Sequence, residues 1–333
     1  MNYRKFLIAA LLVMSFAVQA KDITVTRLTC EMRDGRVTTS DTPRLGWQMS
    51  SPENGTRQTA YEIEVRDVWA GKVVWNSGKV KSAQSQLVSC ADAVLEKDRH
   101  YTWRVRVWDE ADTPSAWSES SDFSILTSEA AFAGSEWIGA ITRKDARIPE
   151  GRKYHGSELK KPEAKAAWAA VDTLAKKSIY LRREFYVAKK VKDATAYVCG
   201  LGFYEFSLNG EKVGDSEFAP LWSDYDKSVY YNTYDVTSQV KKGGNAIGVL
   251  LGNGFYNVQG GRYRKLQISF GAPTLRFRMV VNYEDGTCET IVSGKDWKYD
   301  FSPVLFNCIY GGEDYDARRE PVSYTHLRAH ETE

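Results

Sequence analysis

The dipeptide Asn209-Gly210 constrains this chain most, because of what flanks it. Residues 197–208 alternate aromatic or apolar with small and polar side chains, broken at Gly200 and Gly202. That period of two belongs to a half-buried strand with a glycine kink. Both residues of Asn-Gly tolerate the positive φ of a type I′ turn, so a tight antiparallel hairpin follows. Residues 230–236 give a further strand, Gly243-Gly244-Asn245 a second turn, and residues 246–251 an apolar run suited to a strand buried on both faces.

The same rhythm fills the first third of the chain. Short strands are expected at 43–49, 61–67, 73–77, 100–109 and 122–126, separated by turns. Tyr101 opens an alternating strand in the manner of a tyrosine corner, Trp47 is expected to fill the core, and Trp117-Ser118-Glu119 precedes Phe123. This segment, residues 21–127, has the look of a fibronectin type III-like module, a kind that spaces or braces other domains. Residues 128–135 read as a linker, and Glu136-Trp137-Ile138-Gly139 as the opening strand of a second module. The β pattern breaks at 143–178. There residues 162–176 have helix-forming composition with Pro162 near the start, and Trp168, Val171 and Leu174 make a narrow apolar stripe. Residues 128–177 are therefore linker, first strand and helical insertion. Residues 273–283 alternate cleanly, and Glu284-Asp285-Gly286 turns into 287–292.

The chain opens on Arg4 and Lys5, an apolar run at 6–18 and Val18-Gln19-Ala20, the pattern of a cleavable signal peptide over 1–20. Secretion or periplasmic export follows. The apolar run is too short for a membrane span, and no cysteine after the cut invites a lipid anchor. Arg4 and Lys5 also account for the net charge of +2, so the mature chain is near neutral, against a nucleic-acid partner. In an oxidising compartment the five cysteines can pair, but an odd number leaves one free. Cys30 with Cys90 is the only pair within the first module, and Cys199 reads as a buried small hydrophobe.

Five blocks in order resemble the amino-terminal β-sandwich domain of bacterial α-L-rhamnosidases. They are SLNGEKVGD (207–215), APLWSDYD (219–226), YYNTYDVT (230–237), NAIGVLLGNGFYN (245–257) and IYGGEDYDARRE (309–320). The resemblance covers residues 178–320 and, more loosely, the segment from 21 onward. It implies an all-β chain of two tandem sandwiches, fibronectin type III-like and then jelly-roll-like. It also implies inverting hydrolysis of terminal α-L-rhamnosyl residues in an (α/α)6 barrel that follows such domains. Inversion needs two carboxylates with room for a water between them. No repeated helix pairs that could build a barrel occur here, so no catalytic carboxylate is carried over. The chain alone is expected to be inert, with the missing C-terminal catalytic domain and a rhamnose-containing glycan as its partners.

Related modules bind L-rhamnose with calcium, so the resemblance nominates Trp222, Asp224, Tyr225, Asn253, Phe255 and Asn257 for the sugar and Asp224, Asp226 and Asn253 for the metal. Against this, the rings can be core and the aspartates can cap turns. Family members often carry Trp where Phe255 stands. No cofactor is required, and calcium is the one the resemblance admits. Glu313 and Asp316 read either as a carboxylate pair or as loop acids, one of them paired by Arg318 or Arg319. Residues 321–333 show no strand or helix period and do not resemble the family's continuation, so they read as a non-native tail. His326 and His330 within it lack a third metal ligand.

Overall fold

A computed structural model describes residues 22–39, 42–96, 99–126, 128–141, 153–258, 262 and 266–320, with the backbone of 328–329 and 331–332. Residues 1–20, where a signal peptide is expected, and most of the basic run after Gly261 lie outside these residues. The chain divides between Ile125 and Leu126 into two compact units.

The first unit is a sandwich of eight strands: β1 (Thr24–Cys30), β2 (Val37–Thr39), β3 (Arg44–Ser50), β4 (Ala60–Asp67), β5 (Lys72–Asn76), β6 (Val88–Ser89), β7 (Arg99–Trp108) and β8 (Ser121–Ile125). One sheet runs β1-β3-β6 and the other β2-β8-β7-β4-β5. Inward residues alternate along β7, so Tyr101, Trp103, Val105 and Val107 are buried while Thr102, Arg104 and Arg106 between them are half-exposed. Each such aliphatic or aromatic residue withdrawn from water contributes about 1.5–3 kcal/mol before entropy is counted. The Tyr101 hydroxyl accepts from Glu96 N at 2.8 Å and donates to Glu96 O at 3.1 Å, completing the tyrosine corner. Trp47 is buried against Tyr61 and donates to Gln58 at 2.9 Å. On the outer face, Trp117 is flanked by the guanidinium groups of Arg104 and Arg106, at 4.6 and 4.8 Å from its ring. Cys30 and Cys90 stand as free thiols in this core.

The second unit opens with a short helix, α1 (Ser128–Ala131), and β9 (Ile138–Gly139), which pairs with a later strand as an opening strand should. The insertion holds β10 (Lys153–His155) and α2 (Pro162–Ala169), then a 3-10 turn at Thr173–Lys176. Trp168 and Val171 are buried with Ala175 and Ala272. Leu174 is instead exposed, because the α-helix ends before reaching it and the tighter turn directs Ala175 inward.

The sandwich proper comprises β11 (Ile179–Val187), β12 (Val191–Leu201), β13 (Phe203–Leu208), β14 (Glu211–Lys212), β15 (Asn232–Asp235), β16 (Gly243–Gly252), β17 (Asn257–Val258), β18 (Leu266–Ser269), β19 (Thr274–Tyr283), β20 (Cys288–Val292) and β21 (Lys298–Phe301). One sheet contains β14-β13-β16-β11-β21, and the facing sheet β15-β12-β19-β9 with β20 beside β19. Phe206, Phe277, Trp297 and the inward residues of β16 fill the space between them. The hairpin β22 (Val304–Cys308) and β23 (Gly312–Tyr315) stands apart as its own two-stranded sheet. The backbones of Arg328–Ala329 and Glu331–Thr332 pair with β21 and β9, although that tail has no strand period.

Three local expectations change. Residues 197–208 are not one kinked strand: at Gly202 (φ +129°) the chain leaves β12 in one sheet and enters β13 in the other. Asn209 (φ +55°) and Gly210 (φ +84°) make the turn as expected. Gly243, Gly244 and Asn245 are not a turn; they begin β16 and pair with Val187, Tyr186 and Phe185. Finally, β16 is buried on one face only, because its outward side is left open by the sheet's far surface.

Candidate functional site

The corner at Gly202 sends Phe203 outward, where it meets two rings that lead on to two more. Phe203 lies 5.4 Å from Phe218 and 5.9 Å from Phe255, centroid to centroid. Phe255 in turn lies 5.6 Å from Trp222 and 5.9 Å from Tyr310. Phe218, Trp222 and Tyr310 are 64%, 63% and 58% exposed, so this is an open aromatic surface. Beside it runs a groove of about 460 Å³, lined by Phe203, Phe218, Glu205, Glu217, Asn307 and Glu313 among others. Flat apolar faces next to carboxylates and an amide suit a ligand with one apolar face and a rim of hydroxyls.

The loop that presents Phe255 is built by asparagines. Asn253 is fully buried; its Nδ2 donates to Lys176 O at 2.8 Å and to Asn307 O at 3.3 Å. Asn257, also fully buried, donates to Ala175 O at 2.8 Å and to Asn253 Oδ1 at 2.7 Å. Asn307 Oδ1 accepts from Asn253 N at 2.7 Å, and Asn307 Nδ2 donates to Ser178 Oγ at 2.6 Å. These bonds satisfy backbone groups that a loop would otherwise bury unpaired. Gly254 (φ +53°) allows the close pass, since a Cβ there would sit 2.8 Å from Phe203 N.

The structure thus separates the nominated residues. Trp222 and Phe255 share the aromatic surface. Asn253 and Asn257 lie beneath it and shape the loop. Tyr225 joins a different cluster, 5.2 Å from both Tyr256 and Phe270, and burial pushes its phenol up to about 12. Asp224 and Asp226 sit on the exposed turn between, where Asp224 pairs with Lys227 at 3.0 Å. Among the described residues no group of three or more His, Cys, Asp or Glu side chains is placed to hold a metal ion. Of the residues nominated for calcium, Asp224 and Asp226 are surface acids and Asn253 is a buried amide engaged with Asn257.

In the acidic cluster, Asp316 takes Arg318 in two bonds of 2.8 and 2.9 Å, and Asp314 takes Arg262 at 2.6 Å. The hydrogen bond from Arg318 holds the Asp316 carboxyl below the usual carboxylate range. Glu313 belongs to neither pair and faces the groove. Phe203, Phe218, Glu205, Glu217 and Tyr310 were not singled out in the sequence. The one available signal was register: Phe203 and Glu205 lie on the face of β13 opposite buried Tyr204 and Phe206.

Two family models match the chain. Residues 25–126 match the Rha78A-like N-terminal immunoglobulin domain, and residues 189–333 match the α-L-rhamnosidase N-terminal domain. The chain belongs to the α-L-rhamnosidase family. An α-L-rhamnosidase from Formosa agariphila is 37% identical over 298 residues, covering 86% of this chain and 30% of the relative. One from Streptomyces avermitilis is 28% identical, covering 85% of this chain and 41% of the relative. The chain therefore spans about a third of the length of these curated relatives, as an amino-terminal part. The structure of an α-L-rhamnosidase from Dictyoglumus thermophilum superposes with a TM-score of 0.73 at 28% identity, over 95% of this chain and 34% of that one. The S. avermitilis α-L-rhamnosidase complexed with L-rhamnose gives 0.73 at 25% identity, over 93% and 45%. No helix among the described residues is long and apolar enough to cross a membrane.

Proposed function

We propose that this chain is the non-catalytic amino-terminal part of a secreted, inverting α-L-rhamnosidase, and that its second unit holds a rhamnose-containing glycan at the aromatic groove. The observation that carries this is the run of rings from Phe218 through Phe203 and Phe255 to Trp222, set against Glu205, Glu217 and Glu313. The 6-deoxy sugar has a methyl group and axial C–H bonds for the rings, and hydroxyls for the carboxylates. Hydrolysis of terminal α-L-rhamnosyl residues would fall to an (α/α)6 barrel of the whole protein. The lining residues of the groove all belong to the second unit, which also favours a second reading: a glycan-binding or adhesion module able to work without the enzyme.

Isothermal titration calorimetry of the chain with L-rhamnose, in calcium and again in EDTA, tests the reading. Saturable heat that Trp222→Ala removes, from protein with an unchanged melting temperature, is the expected result. Heat lost in EDTA and in Asp224→Ala would assign calcium a part. No heat in either buffer from folded protein would leave a structural spacer.

A further inference from the structure

The aromatic groove lies at one end of an open sheet face, with a second opening at the other end. Outward positions of β16 are Gly244, Ala246, Gly248, Leu250 and Gly252, a nearly bare floor in the middle of the sheet. In register beside them on β11 stand Tyr186, Glu184, Arg182 and Tyr180. On the other side β13 places Ser207, Glu205 and Phe203 against Gly248, Leu250 and Gly252. The groove already described takes in Leu250 and Gly252. A second opening, of about 560 Å³, takes in Gly244, Ala246, Glu184, Tyr186 and Asn209 at the other end of the same floor. Eight residue steps at about 3.4 Å make a trough of roughly 27 Å, room for about five pyranose rings end to end.

We infer that this trough binds an extended, neutral oligosaccharide along β16, so that the glycan recognised is a chain and not a single rhamnosyl unit. The inference rests on the glycan-binding reading above. The choice of occupant follows from the walls. β16 is hydrogen-bonded on both sides, so its face offers no backbone groups to an added peptide strand. What it offers is rings at the ends (Phe203, Tyr186) and hydroxyls and carboxylates between, a surface that matches sugar faces and hydroxyls. Arg182 is paired to Glu184 at 2.8 Å, and Glu205 and Glu313 have no ion-pair partner among the described residues. A polyanionic glycan would meet the acids Glu205 and Glu313 beside an Arg182 already paired to Glu184, whereas a neutral one meets no like charge.

The test is titration of the full chain with L-rhamnose and with α-linked rhamno-oligosaccharides of two to six units. It is run on the wild type, on Gly244→Trp and on Tyr186→Ala. A Cβ at Gly244 meets nothing within 4 Å, and Tyr186 is 68% exposed, so neither change disturbs the core; matched melting temperatures check this. Affinity should rise about tenfold or more from monosaccharide to pentasaccharide, about 1.4 kcal/mol. Gly244→Trp should leave L-rhamnose binding unchanged and return the pentasaccharide to the affinity of the trisaccharide, with Tyr186→Ala intermediate. L-rhamnose binding without length dependence, or a pentasaccharide indifferent to Gly244→Trp, overturns the trough and spares the rhamnose groove. Length-dependent binding with no monosaccharide binding upholds the trough against the single-sugar reading. No binding of any length overturns both.

Discussion

Gly202 and Gly252 approach so closely that a Cβ on Gly202 would lie 2.1 Å from the carbonyl oxygen of Gly252. That contact sits at the corner where the chain changes sheets, one residue before Phe203. Two penalties therefore fall on Gly202→Ala. A non-glycine residue at φ +129° is strained by about 1–3 kcal/mol, and the overlap forces the backbones apart at a comparable cost. We expect a loss of about 3 kcal/mol or more in urea unfolding, with sugar binding weakened through displacement of Phe203. A variant as stable as the wild type would mean that the corner relaxes freely, and the placement of Phe203 would then need another cause.

Local signals carried well wherever the answer was local. Asn209-Gly210 needed only positive φ at two residues, and the alternation of residues 273–283 needed only one buried face. Gly243-Gly244 carries the same glycine signal as a turn, and only pairing with Tyr186 and Val187, more than fifty positions away, makes it strand. Residues 246–251 looked buried on both sides because glycine and leucine at outward positions are apolar even when uncovered. The site was half legible for a related reason. Trp222 and Phe255 announce themselves as rings next to turns, but Phe203, Phe218 and Tyr310 join them only through the Gly202 corner and the β22–β23 hairpin. Whether an Asn-Gly loop points its amides at solvent or at its own backbone is decided by Lys176 and Asn307, which no periodicity links to Asn253.

The cysteines make a sharper prediction than their number did. Cys30, Cys90 and Cys199 are buried, and burial pushes each thiol up to about 12. Cys308 is buried too, and Cys288 alone is exposed. Only the thiolate reacts, so a disulfide reagent at pH 8 should label about one thiol in the native protein and all five after denaturation. Three labelled under denaturing conditions without reductant would instead show that a bridge has formed, with Cys30 and Cys90 the pair within one core.

Asp122 links pH to the stability of the first unit. Its carboxylate accepts from Arg36 Nε and meets His100 Nε2, each at 2.9 Å, and the Arg36 side chain is 8% exposed. Burial alone would raise the carboxyl, but the bond from His100 and the charge of Arg36 outweigh it, so the group lies below its ordinary value. The unfolded state therefore holds this proton more tightly than the folded one. The stabilisation is complete above the unfolded value of about 3.9 and is lost as pH falls through the lower folded value. Asp122→Asn keeps the shape and removes the charge, at an expected cost of about 1–3 kcal/mol at pH 7. Urea midpoints of both proteins, taken from pH 7 down to pH 3, should converge toward the acid end as the wild type gives up its own charge. A gap that stays constant across that range would show that the carboxylate contributes shape alone.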